Sequence, residues 1–285
     1  MTHDLSYAVN CSMLFPELPL LQRPAAAKAA GFDAIEIWWP FEKSVPSDAE
    51  VDTFVAAVQE ADVQLVGLNF AAGDMPGGDR GLVSWPARST EFRDNVAVTV
   101  GIGERLGTRA FNALYGNRIE GVDAARQDEV ATDNLAIAAA AAARIDALVL
   151  VEPVSGAAHY PLRTAAEAVA VIERTKNAWG ATNLALLADL FHLTVNGDDV
   201  AKAITEHGPR IGHVQIADAP GRGEPGTGSI GIDEHLAAIE AGGYRGWVGL
   251  EYKPTTPSTE ESLRWLPRQR RAAAAAHHLL KETTR

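Results

Sequence analysis

The sequence predicts an α/β chain of the (β/α)8 barrel class. Eight short apolar runs alternate with longer helical stretches along its 285 residues. Several of those runs are almost continuously apolar, as parallel strands buried on both faces must be. No Pro/Gly/Ser-rich hinge divides the chain. An open doubly wound sheet suits the same rhythm. Eight unbroken βα units in about 250 residues favour the closed barrel, and a single domain over residues 1–285 is expected.

The strand-like runs are Leu5–Cys11, Ala34–Trp38, Val63–Asn69, Arg109–Ala113, Ala147–Glu152, Leu184–Asp189, Ile211–Ile216 and Trp247–Glu251. Helical segments fill the gaps. Glu91–Leu106 stops at Gly107, a residue suited to the left-handed C-cap. Asp123–Arg144 is rich in alanine, the best helix former. Thr164 with Glu167 three residues on reads as a capping box. Asp233–Ala241 ends in a glycine pair, and Thr259 to about Lys281 reads as helix with a break at Pro267.

Composition narrows the function classes. The formal charge is −12 and the pI about 5.1, so the chain repels phosphate backbones and nucleic acid is not an expected partner. The basic cluster Arg268-Gln-Arg-Arg271 reads as a positive helix end or a solvated face. One cysteine, Cys11, excludes an internal disulfide and suits a reducing compartment. With no signal-like N-terminus and no apolar run of about 20 residues, a soluble cytoplasmic protein without membrane contact is expected. A homo-oligomer is compatible with the sequence, which does not fix the oligomeric state.

Barrel enzymes place their chemistry at the C-terminal ends of the strands. The fifth run ends in Glu152, the sixth in Asp189, and the eighth in Glu251; the seventh carries Gln215. A lone strand-end carboxylate is usually a helix cap or an ion-pair partner. Four oxygen-bearing side chains on consecutive strands are different, because crowded carboxylates repel unless a proton or cation lies between them. Hard oxygen donors suit Mg²⁺ or Mn²⁺, whereas zinc would want more His or Cys.

His192 and His213 sit beside this ring. They read as metal ligands, as donors to substrate oxygens, or as satisfied structural histidines. Asn69 and Asn112 end their runs and suit hydrogen bonds to a polyol or keto acid, though loop-end Asn is common for turn reasons alone. Trp38-Trp39 reads as packing or a pocket wall. No Cys–His arrangement accompanies Cys11, and Ser155 lacks the first glycine of a nucleophile elbow.

The stretch Gly226-Thr-Gly228-Ser-Ile-Gly231 matches G-x-G-x-x-G, with Glu251 twenty residues on. A dinucleotide turn puts its first glycine at the strand end. Here Gly226 follows the strand by nine residues, after two prolines, and only one βα unit remains to complete a sheet. A flexible Gly/Pro-rich loop that covers substrate is the better expectation.

Four segments, "AVNCSMLF", "GLVSWPARSTEFRDNV", "GHVQIADAPGRGEPGTG" and "GWVGLEYKP", together resemble the hydroxypyruvate isomerase family of xylose-isomerase-like TIM barrels. The resemblance covers essentially the whole chain. It implies a metal held by Glu152, Asp189, Gln215 and Glu251, with Glu152 and Glu251 as the proton-transfer pair and no organic cofactor. Two positions depart from the pattern. Members often read E-P-I-N where this chain has Glu152-Pro-Val-Ser155, and Cys11 stands where leucine is more usual. The first change, near the glutamate, bears on substrate choice.

The implied chemistry moves a proton between C3 and C2 of hydroxypyruvate through an enediolate. His192 or His213 would shuttle the hydroxyl proton, and Arg222 or Lys253 would hold the substrate carboxylate. Rival readings are an isomerase or epimerase of another keto acid or ketose, such as a 2-oxo-tetronate, a phosphodiesterase of the endonuclease type, and a non-catalytic binding barrel.

Overall fold

A computed structural model describes residues 1–273. Eight parallel strands close into a barrel in sequence order, with β1 (Ser6–Asn10) hydrogen-bonded to β8 (Trp247–Leu250). Between them run β2 (Ala34–Ile37), β3 (Gln64–Asn69), β4 (Ala110–Asn112), β5 (Leu148–Val151), β6 (Leu184–Asp189) and β7 (Ile211–Ile216). All eight expected runs form strands, trimmed by a residue or two where the chain leaves the sheet.

The long helices start and stop on the predicted signals. Helix α3 (Ser89–Leu106) ends at Gly107 in the left-handed conformation, φ 71°. Asp123 caps α4 (Ala124–Ala143) by accepting from Ala125 N–H. Thr164 and Glu167 form the reciprocal capping box of α5 (Ala165–Trp179). Four helices lay outside the sequence reading: α1 (Arg23–Ala29), α2 (Asp48–Glu60), α6 (Leu190–Asn196) and α7 (Val200–His207). Helix α8 (Ile232–Ala241) precedes β8. Among the described residues no helix is long and apolar enough to cross a membrane.

The C-terminal expectation needs correcting. Among the described residues of the tail, α9 (Thr259–Ser262) alone is α-helical, followed by two short 3-10 turns, Leu263–Trp265 and Arg268–Arg270. The basic cluster explains the tight turns. Arg268 donates to Ala29 O at 2.7 Å and Arg271 to Ala30 O at 3.1 Å, so both cap the C-terminus of α1. Arg271 is buried and also holds the carbonyls of Leu263 and Leu266. These guanidiniums tie the tail to the barrel; Arg268 does so from an exposed position and Arg271 from a buried one, so the cluster serves as the positive partner of a helix end. The remainder of the expected tail helix lies outside the described residues.

Strand alternation divides the core into two regions. Outward-facing Val9, Ile35, Leu68, Phe111, Val149, Leu186, Val214 and Val248 belong to the large apolar layer between sheet and helices. The opposite face carries Ala110, Leu150, Ala185 and Leu187 in a small separate cluster. Because side chains repeat every second residue, that face continues to Glu152 beyond Leu148 and Leu150, and to Asp189 beyond Ala185 and Leu187. Gln215 and Glu251 follow His213 and Gly249 in the same way. The barrel's small apolar plug therefore gives way to a polar layer toward the C-terminal mouth.

Candidate active site

Glu152, Asp189, Gln215 and Glu251 meet at that mouth, all buried. Each is fixed by specific donors. Asn112 Nδ2 donates to Glu152 Oε2 at 2.6 Å, and Tyr160 O–H donates to the Glu152 backbone carbonyl at 2.9 Å. Asp189 closes β6 and caps α6, its Oδ1 accepting from Phe191 N–H at 2.8 Å and His192 N–H at 3.3 Å. Gln215 Nε2 donates to Glu251 Oε2 at 2.5 Å. Trp38 Nε1 reaches the same oxygen at 3.4 Å, and Arg222 donates to Glu251 Oε1.

Two oxygens of this ring are buried and have no donor: Asp189 Oδ2 and Gln215 Oε1. Arg222 lies 3.8 Å from Asp189 Oδ2 without a hydrogen bond to it, and a buried polar oxygen with no hydrogen bond is costly unless a further donor or cation meets it. Two such atoms beside Glu152 and Glu251 form a donor set of hard oxygens. The residues therefore fit a divalent cation of the Mg²⁺ or Mn²⁺ type.

The electrostatics agree. Burial pushes the Glu152 carboxyl well above its ordinary range, and the neighbouring charges of Glu251 and Asp189 push the same way. The Asn112 bond opposes this rise. Burial also raises Glu251, to about 8, although Arg222 works against it. Arg222 is itself half-buried among the three carboxylates, 3.8 Å from Asp189 Oδ2. Its guanidinium carbon lies 5.3 Å from the centre of the Phe191 ring.

His192 is positioned as a donor. Ser155 N–H donates to its Nδ1 at 3.1 Å, and Ser155 Oγ lies 2.7 Å from the same nitrogen. A nitrogen that accepts from an amide carries no proton, so in the neutral ring the hydrogen sits on Nε2. Burial lowers the ring to about 4, so it is neutral at ordinary pH. Nε2 lies 3.6 Å from Asp189 Oδ2 and 3.9 Å from Glu152 Oε1. The Nε2 atom thus shares one small region of the ring with the Glu152 and Asp189 carboxylates. A protonated Nε2 makes His192 a hydrogen-bond donor there, and not a ligand.

His213 is placed differently. It lies below the ring, its Nε2 2.6 Å from Glu36 Oε2, and it does not line the cavity. Glu36 was missed by sequence reasoning. This buried residue of β2 also accepts from Gln215 Nε2 at 2.7 Å and from Asn10 Nδ2 at 2.8 Å. Asn10 Nδ2 donates to Glu251 Oε2 as well, at 2.9 Å. Two amides thus bridge two buried carboxylates. Carboxylates only accept, so the Gln215 NH₂ must face them and its carbonyl must face away. The space is provided by glycine, since a Cβ on Gly249 would sit 2.5 Å from the Glu36 carboxylate. A Glu inside the apolar run Ala34-Ile-Glu-Ile was the available signal.

Above the ring opens a cavity of about 1520 Å³. Asn69, Trp38, Trp39 and Ser155 line it with Glu152, Glu251, His192 and Arg222. Lys253 stands at its wall, exposed, while its backbone N–H donates to Arg222 O at 2.7 Å. Cys11 lies outside the cavity lining, and burial pushes its thiol far up, away from nucleophilic use.

The Gly-rich loop is braced by its own carboxylates. Asp218 accepts from the backbone N–H of Ala219 at 2.9 Å, Gly226 at 2.9 Å, Gly228 at 2.9 Å and Ile230 at 3.0 Å. The glycine amides that would cradle a pyrophosphate hold the chain's own carboxylate instead. Glu224 ties the loop to Thr255 through its backbone N–H at 3.0 Å and its hydroxyl at 2.7 Å. The brace presents Arg222, in the left-handed conformation at φ 58°, to the ring.

Known proteins share this arrangement of elements. The family model of the xylose isomerase-like TIM barrel matches residues 24–269. A putative hydroxypyruvate isomerase of Streptomyces coelicolor is 50% identical over 95% of this chain and 98% of its own length. The hydroxypyruvate isomerase of Escherichia coli is 35% identical over 92% of this chain and 98% of its own. A 2-oxo-tetronate isomerase of Cupriavidus necator is 32% identical over 91% and 96%. Among solved structures, one described as an AP endonuclease, family 2, from Brucella melitensis superposes with a TM-score of 0.82. It is 32% identical and covers 92% of this chain and 97% of that one. The chain belongs to the xylose isomerase-like TIM barrel family, in its hydroxypyruvate isomerase group.

Proposed function

We propose that the protein is a divalent-cation-dependent isomerase of small 2-oxo acids, interconverting hydroxypyruvate and 2-hydroxy-3-oxopropanoate. The observation that carries this reading is the buried ring with its two donorless oxygens, Asp189 Oδ2 and Gln215 Oε1. Glu152, Asp189, Gln215 and Glu251 would hold Mg²⁺ or Mn²⁺. The bound cation would supply Lewis-acid stabilisation to the oxygens that gain negative charge as the enediolate forms.

The chain's own residues supply the proton chemistry. One of Glu152 and Glu251 removes a proton from carbon, and the other returns one to the neighbouring carbon. Burial raises Glu251 to about 8 without a cation, and a bound cation would favour the carboxylate that a general base needs. Asn112 holds Glu152, while Gln215, Asn10, Trp38 and Arg222 hold Glu251, so neither carboxylate is free to swing away. His192 Nε2–H is aimed where it would donate to a substrate hydroxyl or carbonyl oxygen.

The test is turnover of hydroxypyruvate with and without EDTA. Activity lost on chelation and restored by Mg²⁺ or Mn²⁺ is expected; chelator-resistant activity would overturn the metal assignment. The cavity, at about 1520 Å³, exceeds what a three-carbon acid fills, which favours testing 2-oxo-tetronates beside hydroxypyruvate. Endonuclease chemistry is disfavoured by the charge of −12, and a DNA-nicking assay should show no activity.

A further inference from the structure

The cavity wall carries five cations: Lys43, Arg80, Arg88, Arg222 and Lys253. Four of them are accounted for. Arg222 is held by Glu251, and Arg88 by Glu91 and Asp79 at 2.7 and 3.1 Å. Lys43 and Lys253 are exposed, and an exposed ammonium is a strongly hydrated point charge. Arg80 is half-buried and has no carboxylate within ion-pair distance among the described residues. The bonds the structure gives its guanidinium run from one nitrogen, Nη1, to the carbonyls of Met75 at 2.9 Å and Asp79 at 2.6 Å.

The loop around Arg80 is built to keep it so. Asp79, its sequence neighbour, is a candidate counter-ion. That carboxylate is committed elsewhere, to Asp74 N–H at 2.8 Å and to Arg88 at 3.1 Å. The Arg80 carbonyl accepts from Gly116 N–H at 3.0 Å, and Gly81 N–H donates to Ala72 O at 2.9 Å. Gly81 adopts φ +108°, and a Cβ there would lie 1.9 Å from Leu114 O. The backbone is thus pinned on both sides of Arg80. Its charge also reaches the ring, since it helps to lower the proton affinity of His192.

A fixed, partly desolvated guanidinium with an open edge suits a planar carboxylate, which it binds with parallel hydrogen bonds. We infer that Arg80 is the specificity-determining residue that receives the substrate's carboxylate, leaving the adjacent carbons to Glu152 and Glu251. This rests on the 2-oxo-acid reading of the site. It also reassigns the carboxylate contact from Arg222 and Lys253. Arg222 Nη2 is paired with Glu251 and lies 3.8 Å from Asp189 Oδ2, which leaves only its buried Nε without a partner, and Lys253 is an exposed point charge at the cavity wall.

The test compares Arg80→Gln and Arg80→Lys with the parent protein, using two inhibitors of hydroxypyruvate turnover. D-Glycerate carries the carboxylate; dihydroxyacetone is a neutral three-carbon ketose. In Arg80→Gln, KM for hydroxypyruvate and the inhibition constant of D-glycerate should each rise about 10- to 100-fold, the value of charge-assisted hydrogen bonds. Both kcat and inhibition by dihydroxyacetone should stay within about threefold. Guanidinium ion should restore part of the lost affinity, and Arg80→Lys should fall between. If both inhibitors weaken equally, the loop has merely loosened and the assignment is overturned. An unchanged D-glycerate constant in a folded Arg80→Gln or Arg80→Lys protein overturns it too, while leaving the 2-oxo-acid reading standing. A parent that turns over no 2-oxo acid overturns both.

Discussion

Removing the Glu36 side chain should weaken cation binding while all four ring side chains are kept. The Glu36 carboxylate accepts from three buried groups: His213 Nε2 at 2.6 Å, Gln215 Nε2 at 2.7 Å and Asn10 Nδ2 at 2.8 Å. In Glu36→Ala, His213 loses the partner of its Nε2. Gln215 and Asn10 each keep one acceptor, Glu251 Oε2, at 2.5 and 2.9 Å. One orphaned buried group plus two weakened ones amounts to about 3 kcal/mol. For a chain of 285 residues, that lowers Tm by about 5 °C.

The effect on binding follows from the Gln215 amide. With one acceptor gone, its NH₂ is less firmly held toward the barrel interior, and its carbonyl is less firmly aimed at the site. Loss of such an orienting partner typically costs about 10- to 100-fold in metal affinity. Glu36→Gln is the control. Its carbonyl can still accept from both amides, so it should retain most of the affinity. Mn²⁺ titration followed by electron paramagnetic resonance measures this directly, with circular dichroism to verify the fold. A folded Glu36→Ala protein with parental Mn²⁺ affinity and Tm would refute the reasoning.

Three further outcomes follow from the same geometry. Glu251→Gln should lower kcat on hydroxypyruvate by about 10²- to 10⁴-fold, the usual worth of a general acid–base, with the fold retained; near-parental turnover would remove Glu251 from the chemistry. The stabilisation given by Mn²⁺ should grow with pH. Glu251 is raised from 4.5 to about 8, so its contribution to folding is full below about 4.5 and is lost as pH rises through 8. A cation needs the deprotonated form, so the Mn²⁺-induced rise in Tm should be larger at pH 8 than at pH 5.5, and an equal rise at both would contradict this. Asp218→Ala should free the four backbone amides it binds and open residues 219–230 to limited proteolysis. It should also lower kcat/KM, because Arg222 is carried on that segment; unchanged proteolysis and kinetics would show that the brace is dispensable.

The barrel and its mouth were legible in the sequence because both obey local periodicity. Apolar runs marked the strands, and the last polar residue of each late strand marked Glu152, Asp189 and Glu251. Caps were equally local: Gly107, Asp123 and Thr164 each act through atoms within a few residues. Residues 263–270 depart from the expected tail helix for the opposite reason. Arg268 and Arg271 satisfy the carbonyls of Ala29 and Ala30, 239 and 241 residues away, and helix propensity carries no information about such partners.

Glu36 and Arg80 escaped for a related reason, and they show what a strand-end rule omits. Asp189 stands last in β6, and Gln215 and Glu36 each stand one residue before the end of their strands. Because the ends are staggered around a tilted barrel, height within the lumen is not fixed by distance from the strand terminus. Parity is the better guide. Glu36 shares its face with Ala34, and across the barrel it meets His213 and Gln215, whose own face ends at the mouth. A charged residue on the inward parity of a barrel strand must find donors within the lumen. Here the donors are the amides that also fix Glu251. Arg80 has no such periodic signature, because it lies on a loop. What distinguishes it is the carboxylate it lacks, and that becomes visible only once Asp79 is seen committed to Arg88.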